Sequence, residues 1–129
     1  MRDIRFKAKT IERYSEDGWM EGNYSIHYGA GGEFMFHELI NSKQDYVIDP
    51  DTLCEYTGVV DIEDREVWEH DIVERLGKGN VMHRHPIRFS NGAFQAIAPD
   101  GTGVYVQFLK IWKYRICGNE IDNPEMLTK

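Results

Sequence analysis

The sequence predicts an all-β, mainly antiparallel protein, and three observations predict it. Apolar residues recur mostly with a period of two, glycines fall between short apolar runs, and no long stretch carries a helical amphipathic pattern. From the N-terminus, "GWMEGNYSIHYGAGGEFMF" (Gly18 to Phe36) reads as a strand pair turning around Gly29 to Gly32. "FHELINSKQ" (Phe36 to Gln44) reads as a short helix, so the expected fold holds at most one or two short helices. "DPDT" (Asp49 to Thr52) has the Asp-Pro start of a tight turn or a single helical turn.

The clearest hairpin runs from Val81 to Ala98. Asn91 and Gly92 supply the positive φ that tight hairpins need. Alternation puts Val81, His83, His85, Ile87 and Phe89 on an inward face, with Met82, Arg84 and Arg88 opposite. Pro86 cannot donate to a ladder, which places this strand at an edge or gives it a bulge. After the break "APDGTG", "VYVQF" and "IWKYRIC" read as further strands, the last with Trp112, Tyr114 and Ile116 on one face and Lys113 and Arg115 on the other.

The chain has the size of one compact unit (residues 1–129) able to bury a core without disulfides. Its apolar content of 41% and charged content of 29% describe a folded protein. No apolar run approaches the roughly 18 residues of a spanning helix, and the polar start lacks a signal-peptide core, so the expected location is the cytoplasm with no membrane partner. Cys54 and Cys117 are far apart and read as reduced thiols.

A net charge of −7 disfavours a general nucleic-acid binder. The charge is uneven, however. Residues 41–73 hold Lys43 and Arg65 against ten acids, whereas residues 74–115 hold seven Lys and Arg against Glu74 and Asp100. Such asymmetry marks either a binding face or two segments whose charges pair in space.

"DPDTLCEYTGVVDIEDREVWEHDIV" (Asp49 to Val73) resembles the signature of the YopX family, small proteins encoded by bacteriophages and prophages. The matching positions are Tyr56, Thr57, Gly58, Asp61, Glu66, Val67, Trp68, Glu69, Asp71, Ile72 and Val73. "MRDIRFKA" (Met1 to Ala8), "GWMEG" (Gly18 to Gly22) and "GNEIDNPEML" (Gly118 to Leu127, with Gly118, Asn119, Asn123 and Pro124) extend the likeness over nearly the whole chain. The resemblance implies a mostly β fold with a small SH3-like barrel as its C-terminal portion, hence an N-terminal β lobe (1–57) and a C-terminal barrel lobe (58–120). It implies no molecular activity. Two departures stand out: Glu63 and Asp64 replace the family's usual Asn-Gly turn, and His70 replaces a usual Gly. Without glycine, the first turn is expected to use another geometry or an extra residue. A signature of turns and core residues specifies a shape, so these positions read as structural.

No residue pattern implies a cofactor, metal or catalytic group. His83 and His85 share a strand face but lack a third ligand at a recognisable spacing. His70 and Asp71 are adjacent and point apart on a strand. Asp49, Asp51, Asp61, Glu63 and Asp64 lack the glycine and terminal glutamate of an EF-hand loop. "YGAGGEF" has neither P-loop nor dinucleotide spacing. The expected function is a non-enzymatic interaction module binding a host or phage protein. The alternative is a nucleic-acid-binding accessory protein using Arg84, Arg88, Lys113 and Arg115. Self-association into a homo-oligomer, through a strand edge and Trp19, Trp68 and Trp112, is a further expectation the sequence leaves open.

Overall fold

In the computed structural model, which describes residues 4–32 and 35–127, the protein is all-β, with antiparallel sheets and single 3-10 turns as its only helical segments among those residues. Met1 to Asp3, Glu33, Phe34, Thr128 and Lys129 lie outside the described residues. Two compact units divide between Glu55 and Tyr56.

In the N-terminal unit, β1 (Phe6–Lys9), β2 (Trp19–Tyr28), β3 (Met35–Ile40) and β4 (Asp45–Val47) pair in the order β4-β3-β2-β1. Beyond β1, Phe6 and Lys7 pair with Glu55 and Cys54 at the start of β5 (Cys54–Val60). Ala8, Leu39 and Ile48 form its core, with Phe6, Tyr24 and Leu53 packed against them. The hairpin at Gly29 to Gly32 and the Asp49-capped turn at Pro50–Thr52 stand where the sequence places them. Phe36 to Ile40, however, is strand rather than helix. Register overrides local preference there: Leu39 is fully buried between Tyr24 of β2 and Tyr46 of β4, which only an extended chain allows.

In the second unit, Tyr56 and Val60 of β5 pair with β6 (Glu66–Trp68). β7 (Asp71–Leu76), β8 (Met82–Ser90), β9 (Ala93–Ile97), β10 (Gly103–Tyr105) and β11 (Arg115–Asn119) form a sheet in the order β10-β9-β8-β7-β11. Val67, Val73, Ile87, Phe94, Ala96, Val106, Leu109 and Tyr114 make its core. The sheet is open. β10 and β11 are its two edges, and the expected barrel-like portion does not close into a barrel. β10 is only three residues long and passes into a 3-10 turn at Val106–Phe108, so the predicted "VYVQF" strand ends early. Leu109, Trp112, Lys113 and Tyr114 then donate backbone N–H groups to carbonyls three to five residues back, and Trp112 and Lys113 form a turn instead of a strand.

Pro86 lies in the interior strand β8, against the expectation of an edge or bulge. Pairing with β7 ends at Ile72↔Pro86, and pairing with β9 begins at Ile87↔Ala96. Pro86 therefore occupies the point where the strand changes neighbours, and its missing N–H interrupts neither run. Of the residues expected inward on β8, Ile87 is fully buried, His85 is half-buried, and Val81, His83 and Phe89 are exposed.

Each glycine-free turn takes left-handed backbone at one residue, and in the first, where the expectation is another geometry or an extra residue, only Asp64 and not Glu63 does so. Asp64 has φ 61° and His70 φ 71°. At the first, the Asp61 carboxylate accepts the N–H groups of Glu63 and Arg65, each at 2.9 Å, and so fixes the loop around a residue type that enters this region more readily than most. Gly118 is required for a different reason: a Cβ there would lie 2.7 Å from Asn123 Oδ1 and 2.9 Å from Met126 Sδ in the returning C-terminal segment. Gly118→Ala is expected to cost about 1–3 kcal/mol in denaturant unfolding.

Candidate functional site

The family-signature residues assemble a frame. Tyr56 packs against Trp68 at 5.5 Å, Thr57 Oγ1 donates to the Val67 carbonyl at 2.6 Å, and the buried Asp71 carboxylate accepts the Trp68 N–H at 2.8 Å. Gly58 has φ 89°, Glu66 pairs with Val60, and Ile72 and Val73 are fully buried. Asp61 is fully buried and joins this turn to β11 by accepting the Ile116 N–H at 2.8 Å. Burial pushes its carboxyl up, but the N–H groups of Ile116, Arg65 and Glu63 reverse this and hold it below the usual range. Asn119 and Asn123 fold the C-terminal segment: Asn119 Oδ1 accepts the N–H groups of Ile121 and Asp122, and Pro124 opens a 3-10 turn.

Arg84, Arg88 and Arg115 share one face of the sheet, and each meets a carboxylate. Arg84 and Arg115 are the cross-strand partners of Glu74 on either side, at 3.1 and 2.8 Å from its oxygens. Burial raises the Glu74 carboxyl and the two arginines bring it below its usual value. Arg88 bridges to Glu120. Lys113 stands apart at φ 63° in the Trp112 turn, without an ion pair among the described residues. The ion-pair partners of these arginines are thus Glu74 and Glu120, outside the acidic 41–73 segment, whereas Lys110 pairs with that segment through Asp64. A groove of about 350 Å³ runs beside Arg84, Pro86, Arg88 and Leu127 on this face.

His70 faces away from Asp71, its Nδ1 3.0 Å from Glu120 Oε2, and its backbone carbonyl accepts the Glu120 N–H. The Glu120 bond raises the His70 pKa above its ordinary 6.5 against the opposing effect of burial. Glu120 itself is raised by burial and then held below its ordinary 4.5 by His70 and Arg88. The sign follows from linkage. The His70 contribution is complete below pH 6.5 and is lost as pH rises through its raised folded value, whereas that of Glu120 is complete above pH 4.5 and is lost as pH falls through its depressed one. The excess thermal stability of the wild type over Glu120→Gln is therefore expected to peak between pH 4.5 and 6.5 and to shrink on either side. The difference is diagnostic because His85, held down first by burial and then by His83 and Arg75, disfavours low pH in both proteins.

The opposite face carries the candidate site. The core side of β7 and β8 continues outward from Val73 and Ile87 into Arg75, His83 and His85, with Arg75 and His83 directly opposed. A cleft of about 500 Å³ lies there, lined by Arg75, Gly77, Lys78, Val81, His83, His85 and Tyr114. Its planar side chains form a row. The His83 and His85 rings stack at 6.4 Å, His85 lies 6.2 Å from Tyr114, and the Arg75 guanidinium sits 5.7 Å from the Tyr114 ring and 5.5 Å from that of Trp112. Gly77 makes room for this row, since a Cβ would come within 2.5 Å of the His83 ring. Trp112 is 53% exposed and Tyr114 is buried, so the row runs from the core to the surface. His85 Nδ1 is buried without a hydrogen-bond partner.

Arg75 and Lys78 escaped the sequence reading. The available signal was the placement of Arg75 on the apolar side of the alternation Val73–Arg75. The turn acids do not converge: Asp49 accepts the Asp51 N–H to cap its own turn, while Asp61 binds backbone elsewhere. Among the described residues no group of three or more His, Cys, Asp or Glu is placed to hold a metal ion, and no helix is long and apolar enough to cross a membrane. Cys54 is buried, and its thiol donates to the Thr52 carbonyl at 3.3 Å. The Cys117 thiol donates to the Ile72 carbonyl and is pushed up to about 11 chiefly by burial.

The class that fold and site define is a small antiparallel β protein with an aromatic and cationic surface cleft. Within that class, the profile of the YopX protein family matches residues 6–128, and the chain belongs to the YopX family. Its structure is similar to the crystal structure of protein yopX from Bacillus subtilis, with a TM-score of 0.59 at 14% identity, covering 100% of this chain and 98% of that one. It is also similar to protein EF1440 from Enterococcus faecalis, with a TM-score of 0.55 at 19% identity, covering 98% and 99%. No curated protein matches the chain. Family membership establishes the fold and leaves the activity to be argued from the surface.

Proposed function

We propose that the protein is a non-enzymatic interaction module, encoded by a phage or prophage and acting in the cytoplasm, which binds a host or phage protein through the cleft lined by Arg75 and Tyr114, together with Trp112 on the other side of Arg75. The observation that carries this reading is the exposed Trp112 with the Arg75 guanidinium 5.5 Å from its ring centre, because tryptophan, tyrosine and arginine are the residues that dominate binding energy at protein interfaces. The absence of catalytic function is part of the proposal. Its support is that His70 is engaged by Glu120 and Asp71 by the Trp68 N–H, which leaves neither poised beside a nucleophile.

The nucleic-acid alternative gains less from the geometry. Arg84, Arg88 and Arg115 already meet Glu74 or Glu120, so phosphate would have to displace internal carboxylates. Affinity capture from a lysate of phage-infected cells, with and without nuclease, tests the choice. A protein partner that survives nuclease and is lost with Trp112→Ala is the expected result. Nucleic acid as the only captured species, or a partner held equally by Trp112→Ala, would overturn the proposal.

A further inference from the structure

Arg75 differs from the other arginines described in its unit. Arg65, Arg84, Arg88 and Arg115 each lie within ion-pair distance of a carboxylate, whereas Arg75 has no such partner among the described residues. Its flat guanidinium is instead placed against two rings, at 5.7 Å from Tyr114 and 5.5 Å from Trp112. A guanidinium placed over aromatic rings without a carboxylate partner keeps its planar fork of N–H groups available to the two oxygens of a carboxylate. Lys78, with no ion pair among the described residues, lines the same cleft; among those residues no acidic side chain lines it, and Asp100 acts on His85 from outside the lining. The cleft thus combines a cation that is unpaired among the described residues with neighbouring aromatic rings.

From this we infer that the cleft recognises an acidic segment of the partner protein, with an aspartate or glutamate carboxylate seated on Arg75 and a neighbouring apolar side chain packed on Trp112. The inference rests on the interaction-module reading and names the chemistry of its partner. A peptide fits better than a nucleic-acid strand. The cleft offers two unpaired cations, Arg75 and Lys78, in a protein of net charge −7, enough to anchor one or two carboxylates but not to follow a phosphate backbone across an acidic surface. The volume of about 500 Å³ suits a few side chains rather than an extended strand.

The test is selection of a random-peptide display library on the immobilised full-length chain, in parallel with Arg75→Gln. Titration of the selected peptides and of single-stranded oligodeoxythymidylate follows, and amide spectra confirm that the variants fold. The inference predicts enrichment of Asp or Glu beside an aromatic or aliphatic residue. It predicts about tenfold or greater loss of affinity both on Arg75→Gln and on replacing the peptide acid by its amide, while Arg75→Lys, which keeps charge without the fork, falls between. Selected peptides without acids, no enrichment at all, or oligonucleotide binding that is tighter and abolished by Arg75→Gln would each overturn it. The outcomes separate from those of the proposed function: a captured protein partner lost with Trp112→Ala but unaffected by Arg75→Gln leaves the module standing and removes only the acidic-segment inference.

Discussion

Replacing Asp61 by alanine is expected to destabilise the protein by about 3–5 kcal/mol in denaturant unfolding. The carboxylate is fully buried and is the acceptor for the N–H groups of Glu63, Arg65 and Ile116, with the Arg65 guanidinium 3.3 Å away. Its loss opens the β5–β6 turn and releases β11 at Ile116 at once. Each orphaned N–H costs about 1–3 kcal/mol where water cannot reach it. Asp61→Asn keeps one carbonyl oxygen but turns an NH2 toward a backbone donor, so it falls between alanine and wild type. Glu63→Ala at the exposed side of the same turn removes only a surface pair with Arg65 and is expected to cost less than about 1 kcal/mol. Equal effects of Asp61→Ala and Glu63→Ala would contradict the account of this turn.

The second large effect separates two tryptophans. Trp68 is 5% exposed and packs on Tyr56, so Trp68→Ala is expected to cost about 3–5 kcal/mol, a large share of the stability of a domain this size. Trp112 is 53% exposed, and Trp112→Ala is expected to leave the unfolding midpoint nearly unchanged while removing partner binding. The pair assigns one tryptophan to the frame and the other to the surface. Thermal unfolding of the two variants, read beside capture of the partner, checks both assignments.

Much of the fold is legible in the sequence because strand alternation and turn chemistry are local. Asn91 and Gly92 both take positive φ, and β8 and β9 meet across them as the Asn-Gly pattern requires. The misread elements were decided by contacts distant in sequence. Phe36 to Ile40 becomes a strand because Leu39 is enclosed by two neighbours, and Pro86 is accommodated inside a sheet because two partners share β8 end to end. His70 holds a left-handed turn without glycine beside its bond to Glu120, distant in sequence, whereas Asp64 is framed locally by the bonds from Glu63 and Arg65 to Asp61.

The candidate site was legible only in pieces. Alternation placed His83 and His85 on one side and Arg84 and Arg88 on the other, as the register bears out. Which of the two faces keeps its charge unpaired depends on Glu74 and Glu120, and the sequence does not tell that Glu74 lies between Arg84 and Arg115. Charge counting therefore pointed to arginines that are internally matched, while Arg75, one position beyond Glu74, turns to the other face and stays free of carboxylates among the described residues.

The central claim is that the cleft of Arg75 and Tyr114, together with Trp112 on the other side of Arg75, is where the partner binds. Amide hydrogen exchange of the full chain, alone and saturated with the captured partner, measures this most directly. The account predicts slowed exchange confined to Arg75 through His85 and to residues 111–114. Protection that instead falls on Arg88, Ile97, Ala98 and Gly101 of the other groove, or on the β2–β3 hairpin, with residues 75–83 and 111–114 unchanged, would contradict it.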